Sequence, residues 1–104
     1  MYYVYLLYSR RLDRFYLGST VDLKRRYGEH RRGEVKSTKQ VDDWHLSYYE
    51  GHLTEASARR REAALKRSGG VYHALKQRVR KSLEEAGNLG EGEALDRSPG
   101  KRRP

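Results

Sequence analysis

Tyr2-Tyr3-Val4-Tyr5-Leu6-Leu7-Tyr8, followed by Ser9–Arg14 and then Phe15-Tyr16-Leu17-Gly18-Ser19, decides how this chain is read. The first run is aromatic, β-branched and apolar throughout, the composition of a buried strand. Ser9–Arg14 is mostly polar and contains Asp13, which suits a hairpin loop of several residues. The second strand then runs over Arg14–Ser19, where Gly18 permits a close backbone approach or an unusual dihedral. The chain has nine tyrosines against one phenylalanine, and five of the nine fall in its first sixteen residues. A strand needing only aromatic bulk could use Phe, whereas each buried Tyr brings a hydroxyl that must find a partner. Those hydroxyls are either locally bonded filler or part of a chemical site.

Beyond the hairpin, Thr20 or Asp22 can cap a helix over about 21–32, with Leu23 and Tyr27 as an i, i+4 apolar pair and Gly33 as its stop. Residues 34–43 read as a polar loop. Trp44–Gly51 alternates, with Trp44, Leu46 and Tyr48 expected on one face and His45, Ser47 and Tyr49 on the other. Thr54 caps a second helix through Arg67, with Glu55 in its first turn and Ser68-Gly69-Gly70 as its end. Val71, Leu75, Val79 and Leu83 mark a third helix over 71–83. The order β-β-α-β-α-α predicts an α+β fold, a small three-stranded antiparallel sheet flanked by helices. Residues 1–83 are expected to form one domain, and 84–104, rich in Gly, Glu, Arg and Pro, a disordered charged tail.

Composition narrows the function. The 104 residues carry a formal net charge of +9, with 36% hydrophobic and 36% charged residues. Residues 1–83 hold 19 of the 23 Lys and Arg but only 9 of the 14 Asp and Glu, so the basic character lies in the expected domain. Such a field attracts polyanions, nucleic acid first among them. The absence of cysteine excludes disulfides and thiolate metal sites and fits a cytoplasmic location. No apolar run approaches the ~20 residues of a membrane span, and Tyr2–Tyr8 lacks the features of a signal peptide. No membrane partner is expected, and the domain is treated as a monomer.

Two charged residues stand out of place. At about 100° per residue with Leu23 at zero, Tyr27 falls near +40°, His30 near −20° and Arg26 near −60°. Arg26 and His30 therefore share the core-facing side. An arginine there is costly unless it meets an anion, and the anion is either an acid of its own fold or a ligand. On the second helix, with Leu65 at zero, Glu62 lies about 60° away, at the border of the apolar stripe. It is the one acid between Glu55 and Glu84, among Arg59, Arg60, Arg61, Lys66 and Arg67. Glu62 is open to two readings, a helix ion pair with Lys66 at i+4 or an oxygen ligand for Mg²⁺.

Taken together, Tyr3-Val4-Tyr5, Tyr16-Leu17-Gly18, Arg26 ten residues after Tyr16, and a helical Glu62 resemble the GIY-YIG endonuclease domain over residues 1–80. The flanking Asp22-Leu23-Lys24-Arg25-Arg26 and Arg61-Glu62-Ala63-Ala64-Leu65-Lys66 stay in register, and the compact length is similar to small stand-alone bacterial members. Tyr3 replaces the first-triplet glycine, Leu17 an isoleucine, and Ser19 stands where some members place a lysine. The resemblance implies a metal-dependent endonuclease hydrolysing phosphodiester bonds in DNA, structure-directed or repair-related, with Mg²⁺ or Mn²⁺ as cofactor. It implies Tyr5, Tyr16, Arg26, His30 and Glu62 as catalytic residues, with Glu62 the metal ligand. Arg26 would hold the phosphate, and Tyr16, or His30 less directly, would deprotonate the attacking water, with Tyr5 positioning it. Arg10, Arg11, Arg14, Lys24, Arg25, Arg31, Arg32, Lys36 and Lys39 would contact backbone phosphates. The alternative is a noncatalytic nucleic-acid-binding module, for DNA or RNA, that keeps the fold. The catalytic reading expects the five residues to line one concave surface, and is undone if Glu62 pairs with Lys66 on an open face.

Overall fold

The computed structural model describes residues 1–87. Its elements follow the expected order: β1 (Tyr2–Ser9), β2 (Arg14–Thr20), α1 (Leu23–Arg31), β3 (Trp44–His52), α2 (Glu55–Arg67) and α3 (Gly69–Glu85). The strands form one antiparallel sheet in the order β2-β1-β3. Because β1 is central, both of its faces are covered, which is why its sequence is a continuous apolar run. Val4, Leu6 and Tyr8 point to one face, where Leu17, Ala58, Leu65, Leu75, Val79 and Leu83 complete a core under α2 and α3. Tyr5 and Leu7 point to the other, against Trp44, Tyr16, Leu23 and Tyr27 under α1. Each fully buried aliphatic side chain contributes about 1.5–3 kcal/mol, so this two-sided strand is the spine of the domain.

The ends of the elements are set by local chemistry. Asp13 closes the hairpin at φ 50, and its carboxylate accepts from the Tyr8 hydroxyl at 2.7 Å and from Arg80 at 3.0 Å. Asp22 caps α1 by accepting from the Arg25 amide, and Thr54 caps α2 by accepting from that of Ser57. Gly33, at φ 75, ends α1: its amide bonds the His30 carbonyl and the Glu34 amide bonds that of Glu29. This paired pattern needs a left-handed residue after the helix.

Three expectations are corrected. The alternation of β3 breaks at Ser47, where a bulge opposite Leu6 and Leu7 inserts one residue. Tyr48 therefore turns to the α2/α3 core, while Tyr49 joins Trp44 and Leu46 on the α1 face. The third helix begins at Gly69 instead of 71, because Ser68 ends α2 and also caps α3 by accepting from the Val71 amide. Val71 is left 48% exposed, since a four-residue spacing drifts about 40° per step around a helix. α3 also ends at Glu85, two residues past the expected helix end at 83, and the expected tail from 88 to 104 lies outside the described residues.

Gly18 is the position where a missing side chain decides packing. It pairs with Tyr5 across the sheet, and the Tyr5 ring lies over it. A Cβ at 18 would sit 2.6 Å from the Tyr5 hydroxyl and 2.8 Å from its ring carbon Cζ. We expect Gly18→Ala to destabilise the domain by about 1–3 kcal/mol, read as a lowered urea midpoint. In a Tyr5→Leu background the same change should cost at least about 1 kcal/mol less; equal costs in both backgrounds would contradict this account.

Candidate active site

The tyrosine over Gly18 leads into a buried hydrogen-bond chain. The Tyr5 hydroxyl lies 2.8 Å from His30 Nε2, and His30 Nδ1 lies 2.8 Å from Thr38 Oγ1. Thr38 in turn donates to the Val35 carbonyl at 3.4 Å. With its proton committed there, the Thr38 oxygen accepts from His30 Nδ1–H, and Nε2 is left to accept from Tyr5. His30 and Thr38 are fully buried. Burial first, and the nearby Arg26 guanidinium second, push the His30 pKa down to about 4 against the opposing pull of Glu29. The imidazole is therefore neutral at pH 7, as the hydrogen-bond directions require.

Tyr16 packs beside this chain, its ring centroid 4.9 Å from that of His30 and 6.4 Å from that of Tyr5. Burial, then the Tyr16 hydroxyl, raises the Tyr5 pKa to about 12; Arg26 opposes the rise and Glu62 adds to it. Arg26 thus lies beside the Tyr5 hydroxyl, while the effect of Glu62 on it is the weakest of these. Arg26 also pairs with Glu29 at 2.9 Å, one turn along α1, and that bond raises its pKa. Tyr16 and Arg26 line an open groove of about 610 Å³ whose far wall is Glu34, Val35, Lys36 and Ser37. The loop forming that wall is held by Trp44, whose indole donates to the Thr38 carbonyl at 2.8 Å.

Glu62 approaches from the other side of the sheet. Ser19 points to the face opposite Tyr5 and Gly18, and its hydroxyl donates to Glu62 Oε1 at 2.6 Å. Glu62 Oε2 pairs with Lys66 at 2.9 Å. The ion pair with Lys66 is thus made, but not on an open face, for the Glu62 side chain is only 20% exposed and tied to β2. Burial raises its pKa, and the bonds from Ser19 and Lys66 outweigh that, so the carboxyl is held below its ordinary value. Of the five residues, Tyr16 and Arg26 line the groove, Tyr5 and His30 are buried behind it, and Glu62 lies on the other face of the sheet beside Ser19, so they do not line one concave surface.

The donor set suits one hard divalent cation. Among the described residues no group of three or more His, Asp or Glu side chains gathers as a metal cage. Mg²⁺ needs no such cage; one or two carboxylates suffice when water and phosphate oxygens complete its shell. Among the described residues Glu62 is ionised, partly open, and bound on Oε2 by a surface lysine alone.

The remaining basic residues divide by position. Lys24, Arg25, Arg31 and Arg32 lie on or just after α1, and Lys36 and Lys39 in the loop beyond it, all exposed. Arg25 pairs with Glu29 at 3.1 Å and Arg32 with Glu34 at 2.7 Å. Arg10, Arg11 and Arg14 lie at the hairpin end, more than about 10 Å along the strands from Tyr5 and Gly18. Arg11 pairs there with Asp42 at 3.4 Å, and Arg14 shares a groove with His73, Lys76 and Arg80. Sequence reasoning missed Thr38, Ser19 and Glu29 as partners of the site. Thr38 carries no periodic signal in a polar loop, whereas Glu29 was legible as the acid at i+3 from Arg26.

A family profile described as the GIY-YIG catalytic domain matches residues 1–72. The chain belongs to that family, a family of nucleases whose substrate is nucleic acid. No curated protein and no solved structure matches it.

His30 gives the site a pH signature. Its folded pKa near 4 lies below the ordinary 6.5, so the unfolded chain binds more protons between those values. Stability present above pH 6.5 should therefore decline as pH falls toward 4, by up to about 3 kcal/mol. Carboxylates held low, such as Glu29 and Glu62, act only at more acid pH. Urea unfolding followed by Trp44 fluorescence should show the decline between pH 6.5 and 4.5 and its flattening in His30→Gln; a constant wild-type midpoint over that range would refute it.

Proposed function

We propose that this member of the GIY-YIG family is a metal-dependent endonuclease that hydrolyses phosphodiester bonds, with DNA as its substrate. The carrying observation is the groove lined by Tyr16 and Arg26, backed by the buried Tyr5–His30 bond against which Tyr16 packs, with an ionised Glu62 on the α2 side of the same strand pair. A bound Mg²⁺ or Mn²⁺ ion would be held by Glu62 and would supply charge to the phosphate and leaving oxygen. Everything else falls to the protein's own side chains.

Arg26 is placed to take the non-bridging phosphate oxygens. Its side chain is 36% exposed and its bond to Glu29 is an i, i+3 surface pair. Such pairs are worth roughly 0.2–1 kcal/mol, so a phosphate, which guanidinium binds in bidentate fashion, can replace the carboxylate. Lys36 on the facing wall adds charge to the same groove. The cations of α1 and the following loop hold the flanking phosphates, without reading bases.

The proton path follows the buried chain. Tyr5, with its pKa near 12, stays protonated and donates to neutral His30. As water attacks, its proton passes to the Tyr5 oxygen while the Tyr5 proton moves to His30 Nε2, and Tyr16 orients the water from the groove. A phosphate on Arg26 neutralises the second cause of the low His30 pKa, which makes His30 a better proton acceptor when substrate is present. Structure-directed or repair-related cleavage suits a compact domain whose contacts go to the backbone.

The test is cleavage of branched, single-stranded and duplex DNA, and of RNA, with Mg²⁺, Mn²⁺ or EDTA. Glu62→Gln, Arg26→Ala and EDTA should each lower cleavage by at least about 10²-fold, and Tyr5→Phe or His30→Gln by about 10²–10⁴-fold. Glu62→Gln should keep affinity within a few-fold. Binding by every protein with cleavage by none would establish instead the noncatalytic module.

A further inference from the structure

A second groove, of about 720 Å³, lies on the opposite flank of α1, between that helix and β3. Its lining is mostly apolar and aromatic, Tyr3, Leu23, Tyr27, Leu46 and Tyr49, with Val21, Asp22 and Lys24 completing it. Tyr49 and Val21 are 54% and 56% exposed. Tyr3 and Tyr49 meet edge to face, with centroids 5.8 Å apart and planes at 84°, which fixes both rings without burying them. The Tyr27 hydroxyl is already spent on the Trp44 carbonyl at 3.2 Å. Tyr49 reaches this face only because the bulge at Ser47 turns it there. An exposed aromatic groove marks a binding surface more often than an accident of packing.

The surrounding charge identifies the occupant. From Asp22 to Arg32 the sequence carries Lys24, Arg25, Arg26, Arg31 and Arg32 against two acids, Glu29 and Asp22, the latter in the groove lining and paired with Arg25 at 3.6 Å. A purely apolar partner would gain nothing from that rim, whereas a nucleotide offers a flat base to the tyrosines and a phosphate to Lys24. We propose that this groove stacks an unpaired nucleobase of the strand whose phosphate Arg26 holds, a few nucleotides from the cleaved bond. The inference rests on the nucleic-acid reading of the α1 surface. It adds that the preferred substrate has unpaired residues beside the scissile phosphate. A base within an intact duplex is stacked and paired, so it cannot enter.

Binding is measured in EDTA, without cleavage, using a single strand carrying one 2-aminopurine and the same strand in a perfect duplex. Stacking on tyrosine should quench the 2-aminopurine of the single strand on binding. Tyr49→Ala should abolish the quench and weaken the single strand by about 5- to 100-fold, with duplex affinity changed less than about twofold. Tyr49→Phe, which keeps the ring, should restore both readings. An unchanged quench in Tyr49→Ala, or equal weakening of strand and duplex, overturns the proposal. The metal-free readout separates the two readings. Quenching by a protein that cuts nothing sinks the nuclease reading alone, and cutting without quenching sinks the groove alone.

Discussion

The Tyr5 hydroxyl bonded to His30 Nε2 is the constraint around which the α1 side of the domain is arranged. Both groups are almost fully buried, and a buried polar atom without a partner costs about 1–3 kcal/mol. Satisfying them takes four separate parts of the chain. β1 supplies Tyr5, α1 supplies His30, the following loop supplies Thr38 and Val35, and β2 supplies Gly18, whose missing side chain leaves room for the ring. The loop could not otherwise be held so firmly, for it has no ladder of its own. Trp44 fixes its other side by bonding the Thr38 carbonyl. The groove wall opposite Arg26 is therefore set by the same chain that sets the orientation of Tyr5.

Arg26 and Glu62 are handled differently. Each is partly exposed and keeps a partner from its own helix, Glu29 and Lys66 respectively. Helix pairs of this kind contribute about 0.2–0.5 kcal/mol. They neutralise the two charges without binding them tightly. The rigid part of the site is thus neutral and buried, while its charged parts stand at the rim in exchangeable pairs. Glu62 has one further tie, to Ser19 on the edge strand. Where some relatives are expected to carry a lysine, a short hydroxyl here holds the carboxylate against β2.

Most of this arrangement was legible in the sequence, and the failures have physical causes. The continuous apolar run of β1 identified a buried strand, though not its central place in the sheet, and the helix angles of Arg26, His30 and Glu62 set them at the inner edges of their helices. The face of Tyr48 and Tyr49 was not legible, because a bulge leaves no mark on composition and reverses every later side chain. Nor was the start of α3, because glycines read as a break when Ser68 can in fact serve two helices at once. Thr38 was hidden for another reason. Its role depends on a loop folding back onto His30, which no local periodicity encodes.

The tyrosine excess divides by what satisfies each hydroxyl. Tyr8, Tyr27 and Tyr48 give theirs to Asp13, the Trp44 carbonyl and Glu50, so their rings serve as packing with a local anchor. Tyr5 gives its hydroxyl to a histidine whose own proton is committed elsewhere, a bond that is a strut here and, in the proposed mechanism, a path for a proton. Tyr3 and Tyr49 face an open groove at the rim of a basic surface. Phenylalanine could replace only the ring in each case. At Tyr8 or Tyr48 that would remove one of several donors to Asp13 or Glu50, and under the proposals above it would cut the proton path at Tyr5 and leave stacking intact at Tyr49. One residue type thus meets three different demands, and its abundance follows from a small core that must be aromatic and a surface that must stay wet.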